Sequence, residues 1–96
     1  MNDTERKDLN KRIALRLGYT YENGLWNAPE GEPLYGLKDP PDFTREWNHA
    51  GPLLVELFKD DAELALDEIL LVQEQDECDL IEAVAVVWDT WEEAKQ

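Results

Sequence analysis

Few side chains in this sequence are of a kind that does chemistry: His49, Cys78 and the acidic run Glu74, Asp76, Glu77 and Asp79. A histidine acts as a general base when it can reach the proton of a nucleophile. His49 is the only histidine; it lies beside a tryptophan where a helix is expected to begin, and no nucleophile accompanies it. It reads as a surface or capping residue. The four acids could gather a divalent cation, but the calcium-loop pattern, with a central glycine and a terminal bidentate acid, is absent. They read as a solvated acidic turn. Cys78 sits among carboxylates, which raise a thiol's pKa and blunt its reactivity. A lone cysteine also excludes an internal disulfide framework and a cysteine-cluster metal site, as suits a reducing cytosol. No catalytic residue, metal or cofactor is expected, and the chain is not expected to be an enzyme.

The charge is the stronger signal. Residues 1–59 hold ten acids and eight bases, a net of −2, whereas residues 60–96 hold thirteen acids against Lys95 alone, a net of −12. Such a field repels nucleic acid and anionic membrane and draws in basic protein surfaces, at rates that fall with added salt. Direct DNA or RNA binding is not expected. Ninety-six residues suffice for one domain, spanning 1–96, that buries about 60–65% of its unfolded surface. A content of 43% hydrophobic residues with four tryptophans argues for a folded chain. The N-terminus does not resemble a signal peptide, and no apolar run approaches the ~20 residues of a membrane span, so a cytoplasmic location in a bacterial host cell is expected.

These residues must be positioned by a small set of elements. Thr4 is a candidate cap for an opening helix in which Leu9, Ile13 and Leu17 recur every four residues and Gly18 marks the end. Arg12 and Arg16 share a face of that helix, with Lys11 beside them; these bases either neutralise acids elsewhere in the chain, stand in solvent, or touch a partner. Asn23-Gly24 between two short apolar runs predicts a two-residue hairpin turn, since both residues tolerate positive φ. Residues 29–41 carry four of the five prolines and two glycines and predict a loop, tacked down by Leu34, Tyr35 and Leu37. Over 64–72, alternation favours strand while the Ala, Leu and Glu content favours helix; strand is expected for 69–74. A long amphipathic helix closes the chain. Asp79 is its candidate cap with Glu82 at the capping-box position, and Ile81, Val84, Val87, Trp88 and Trp91 form its apolar side, leaving Glu82, Asp89, Glu92 and Glu93 on the far side. The expected fold class is α+β, a small antiparallel sheet of a hairpin and one or two short strands packed with about three helices.

Between the two halves lies a junction. Pro40 and Pro41 exclude a helix before them, Thr44 is a candidate cap, and a helix is expected from Arg45. Trp47, Ala50, Gly51, Leu54 and Phe58 fall on one side of it, expected to face the core. Pro52 either kinks this helix or opens a second one. The series Phe43-Thr44-Arg45-Glu46-Trp47 and Ala50-Gly51-Pro52-Leu53 resembles the signature of the phage ABA-sandwich domain proteins and their NinX-like relatives, and the alanine-rich segment 81–91 fits the same pattern more loosely. The resemblance covers about a third of the chain. It implies a small sheet with helices packed on it and a setting in bacteriophage or prophage genomes, and it carries over no active-site residue.

Three functions follow as expectations. The first is a small acidic phage-type protein that binds and inhibits a basic, nucleic-acid-binding host defence effector, such as a CRISPR complex or restriction enzyme, with carboxylates standing where phosphates would lie. Its contact residues would be Glu74, Asp76, Glu77, Asp79, Glu82, Asp89, Glu92 and Glu93, joined by Trp26 if that ring is an exposed anchor instead of part of the core. The second is a phage accessory or assembly protein that uses the Pro-rich loop and exposed aromatics. The third is a small-molecule-binding protein or enzyme, which the charge disfavours for any phosphate-bearing ligand. Monomer and homodimer, the latter through the terminal helix and Trp91, are both compatible with the sequence.

Overall fold

The computed structural model describes residues 2–29 and 36–95. Helix α1 spans Asp3–Arg16 and buries Leu9, Asn10, Ile13 and Ala14. Its cap is Asn2 and not Thr4: the Asn2 side chain accepts from Glu5 N at 2.8 Å, and an asparagine placed one turn ahead of an amide is as good a cap as a hydroxyl. At the other end Gly18 (φ +98°) turns the chain left-handed, and Tyr19 N to Ala14 O (3.0 Å) with Gly18 N to Leu15 O (3.2 Å) satisfies the last carbonyls in a Schellman arrangement.

Strands β1 (Thr20–Glu22) and β2 (Leu25–Asn27) form the expected antiparallel hairpin, with Tyr21 opposite Trp26. Asn23 (φ 53°) and Gly24 (φ 79°) supply the two positive φ values of the turn. Leu37 extends this small sheet by an isolated antiparallel bridge to Trp26, with hydrogen bonds of 2.6 and 2.9 Å. The expected anchoring by Leu34 and Tyr35 lies outside the described residues.

Helix α2 spans Trp47–Asp76 and overturns the strand expected for 69–74. Ala65, Ile69 and Val72 recur at helical spacing against the core, and with Glu, Ala and Leu filling the other positions, packing and propensity agree on helix. The helix is interrupted once, at Asp61 (φ −158°, ψ 96°), so that residues 47–60 and 62–76 form two arms. The Asp61 carboxylate accepts from Leu64 N at 3.1 Å and caps the second arm from within. Pro52 therefore neither opens a helix nor marks the break. It replaces one amide, and the carbonyl it leaves belongs to exposed Asn48, where water can satisfy it.

Two expectations at the start of α2 are corrected. Thr44 is no cap: its hydroxyl donates to Asp42 at 2.6 Å, so the helix starts at Trp47 with Glu46 at the cap position. The core face is Ala50, Leu53 and Leu57, whereas Trp47 and Phe58 are exposed and Leu54 is half-buried. Leu53 and Leu57 meet Ala65 and Ile69 of the second arm in one buried cluster, so the face that packs into it prevails over the one carrying the larger rings.

Helix α3 (Leu80–Ala94) runs between α1 and α2 and packs on both. Glu82 through Ala85 and Val87 through Asp89 are all buried. One apolar cluster joins Leu9 and Ile13, Trp26, Phe43, both arms of α2, and Val84, Val87 and Trp88. The fold class is thus α+β, three helices with a two-stranded sheet. Among the described residues no helix is long and apolar enough to cross a membrane.

Candidate interaction surface

The acids of α3 do not behave alike. Glu82 and Asp89 lie seven residues apart on the side that meets α1, not on an outward far side, and are only 7% and 6% exposed. Arg6 Nη2 reaches Glu82 at 2.9 Å, and the Nε atoms of Arg12 and Arg16 each donate to Asp89 at 3.2 Å. The basic face of α1 therefore serves as an internal counter-charge to α3. An unpaired buried carboxylate would cost several kcal/mol, roughly the penalty that these arginines offset. Both residues are withdrawn from the expected contact set, and the capping box expected of Glu82 is replaced by its pairing with Arg6.

On its opposite side α3 meets α2 through two tryptophans. Trp88 Nε1 donates to Glu56 Oε2 at 2.8 Å, in the first arm, and Trp91 Nε1 donates to Glu68 Oε2, in the second. Each bond gives the polar edge of an indole, buried at Trp88 and half-buried at Trp91, a charged acceptor. Trp91, expected on the apolar side of the terminal helix and as the contact of a homodimer, is half-buried and tied to α2.

The remaining acids of the second arm face outward. Glu63, Asp67 and Glu74 are spaced by four and seven residues, so they share the ridge opposite Ala65 and Ile69. The ridge runs about 16 Å along the helix at 1.5 Å per residue; Asp76 lies on the opposite side of the helix, beside Glu5, Cys78 and Glu82, and Glu77 and Asp79 follow at the turn before α3. All six are exposed, and none of them enters an ion pair among the described residues. On the flanks of the ridge Leu64, Leu66, Leu70 and Leu71 are each about half exposed, at 48–51%. The arm thus shows a carboxylate crest between two apolar shoulders.

The other expected contact residues lie elsewhere. Glu92 and Glu93 stand at the far end of α3, about 20 Å along its axis from Asp79, and Glu92 is half-buried and bonded to Lys95 at 3.2 Å. Trp26 is 4% exposed, its ring centroid 5.0 Å from that of Tyr21 with the two planes tilted by 47°, so it belongs to the core. His49 Nε2 stands 3.3 Å from Glu46 with its ring edge on Phe43. It lines a hollow of about 340 Å³ with Tyr19, Pro52 and Glu56. Burial, and then the charges of Glu82 and Asp76, push the Cys78 thiol up to about 11, so it stays protonated at neutral pH. Among the described residues no three histidine, cysteine or carboxylate groups gather as a set able to hold a metal ion.

Some of this arrangement left no local trace in the sequence. Glu63 and Asp67 were readable as a ridge only with that stretch taken as helix. The Trp88–Glu56 pair spans 32 residues, and Glu77 takes a left-handed conformation (φ 50°) where glycine or asparagine is the usual marker. Asn10 did carry a signal, as an amide beside Leu9 on a helix face that is otherwise apolar. It is buried, accepts from Phe43 N at 3.0 Å and donates to Asp42 at 3.2 Å, clasping the junction onto α1. Compared with protein-family models, with curated proteins and with solved structures, the chain finds no match in any of the three.

Proposed function

We propose that this chain is a small acidic phage-type protein that binds and inhibits a basic, nucleic-acid-binding effector of host defence, in the bacterial cytoplasm, and that it acts by binding and not by catalysis. The observation that carries the reading is the unpaired crest Glu63, Asp67 and Glu74, with the exposed and unpaired Asp76, Glu77 and Asp79 at the turn beyond its end. The fold spends its α1 arginines on Glu82 and Asp89 and leaves these six without a counter-charge. Carboxylates at intervals along a ridge present negative charge as a nucleic-acid backbone does, so a surface evolved to hold phosphates would accept them. The leucine shoulders add apolar contact that nucleic acid lacks and that would favour this chain over the effector's natural ligand. The resemblance of residues 43–53 to the phage ABA-sandwich and NinX-like proteins supports the setting.

The test is a pull-down from bacterial lysate at low and moderate salt, with the wild-type chain beside a variant carrying E63Q, D67N, E74Q, D76N, E77Q and D79N. A basic nucleic-acid-binding protein should be retained by the wild type, weaken steeply with salt, and be absent with the variant. Retention by the variant at both salt concentrations would refute the reading.

A second reading has its own observation. Trp47, Val55 and Phe58 lie exposed on the outer side of the first arm, an apolar stripe that fits an accessory or assembly protein contacting its partner through aromatics. There, W47A with F58A should abolish binding that the six neutral substitutions leave intact and that salt barely affects.

A further inference from the structure

A cleft of about 280 Å³ lies between α1 and residues 39–45, lined by Arg6, Lys7, Asn10 and Lys11 on one wall and by Asp39, Pro40, Asp42 and Arg45 on the other, with Asp3 at its edge. It is smaller than the roughly 300–1,000 Å³ of sites for drug-sized molecules, so it suits a small ligand. Its walls are fixed before any ligand arrives. Asn10 ties α1 to both Asp42 and Phe43, and Asp42 accepts from the Thr44 amide (3.1 Å) and hydroxyl (2.6 Å).

The charges in the cleft are unequally committed. Burial alone would raise the Asp42 carboxyl, but the hydrogen bonds from Thr44 and Asn10 outweigh it and hold the group below its ordinary value, as an anion occupied by its own donors. Asp3 is shared between Arg6 at 3.1 Å and Arg45 at 3.9 Å. Lys7 and Lys11, four residues apart on one face of α1, enter no ion pair among the described residues although the chain carries fourteen excess negative charges. Arg6 spends Nη1 on Asp3 and Nη2 on Glu82, while its Nε is a buried donor without a partner. The larger cleft of about 550 Å³ between the C-terminal ends of α1 and α3 and the first arm of α2 sets Arg16, Lys59 and Lys95 against Glu56, Asp60 and Glu92, whereas this one sets Arg6, Lys7, Lys11 and Arg45 against Asp3, Asp39 and Asp42, an excess of one base.

We propose that the cleft between α1 and residues 39–45 is a binding site for a small dianion, a phosphate or dicarboxylate group held by Lys7, Lys11 and Arg45. The two ammonium groups supply the point charges and Arg45 a planar fork suited to paired oxygens. The acidic field of the rest of the chain does not forbid this, since exposed charges are largely screened beyond about 8 Å at physiological salt. The inference is independent of the partner assigned to the α2 crest.

The experiment is an amide-detected NMR titration of the full chain with inorganic phosphate and, separately, malonate, at constant ionic strength maintained with sodium chloride. At least one ligand should give saturable shifts confined to residues 6–11 and 42–46; which one binds tighter tells phosphate from dicarboxylate. Lys7→Gln with Lys11→Gln should weaken that binding at least about tenfold, and Lys59→Gln, in the balanced cleft, should leave it unchanged. The single variants, each on an exposed side chain, should weaken it severalfold and serve if the pair does not fold. Linear, unsaturating shifts with both ligands, or equal affinity in the lysine variants, would overturn the proposal.

Discussion

Asp89 on α3 and Glu74 on α2 are the same chemical group in opposite circumstances. Asp89, with Glu82, is dry and held by arginines of α1; Glu74, with Glu63 and Asp67, is wet and faces no base. Both carboxylates sit on a helix rich in alanine, leucine or valine, so sequence context does not separate them. What separates them is whether a second helix lies over that face. The positive surplus of α1 has only enough reach for the acids it covers, and the acids beyond it are left exposed without a counter-charge. Net charge alone, as a single figure of −14, hides this partition.

Three substitutions probe the contrast. The largest effect should come from Asp89→Asn, which keeps the shape, removes the anion and leaves Arg16 mostly buried without its partner; urea unfolding should show a loss of about 2–4 kcal/mol. A loss below 0.5 kcal/mol would mean that Asp89 is as dispensable as a surface acid, and the partition would collapse. Next, Asp61→Ala removes the cap at the start of the arm that carries the exposed crest and should cost about 1 kcal/mol. Amide exchange should rise in residues 62–76 and not in 47–60, showing that the crest is mounted on its own piece of helix. Smallest is Glu74→Gln, expected to change stability by no more than about 0.5 kcal/mol. A clear gain in stability there would show that the crest is strained by its own repulsion, which would sharpen the case that it is kept for binding.

The parts of this arrangement legible in the sequence are those that local rules specify. The Asn23-Gly24 hairpin, the end of α1 at Gly18 and the terminal helix each rest on residues within a few positions of one another. The segment 69–74 misled because its apolar run fits either period, and only the partner face of α3, some fifteen residues on, selects the helix. The outward stripe of the first arm misled in the same way: Trp47, Gly51 and Phe58 make a regular face, but Leu53 and Leu57 are the residues that meet the second arm and α3 in the core. For the acids, periodicity placed Glu82 and Asp89 together and opposite the apolar side of α3, and that was sound as far as it went. It could not show that α1 would cover them, because that contact joins residues more than seventy positions apart. The arginines of α1 were visible as a cluster, and internal neutralisation was one of the roles open to them.

The break at Asp61 also bears on how a force would travel through the molecule. An unbroken helix of thirty residues is a lever, and torque applied at its outer end by a bound partner would be felt at Leu53 and Leu57 near its root. One residue with extended backbone interrupts that lever, and since Ala65 and Ile69 are buried in the shared core and Glu68 holds Trp91, a load on the outer arm passes sideways into α3 and not down the helix to Leu53 and Leu57.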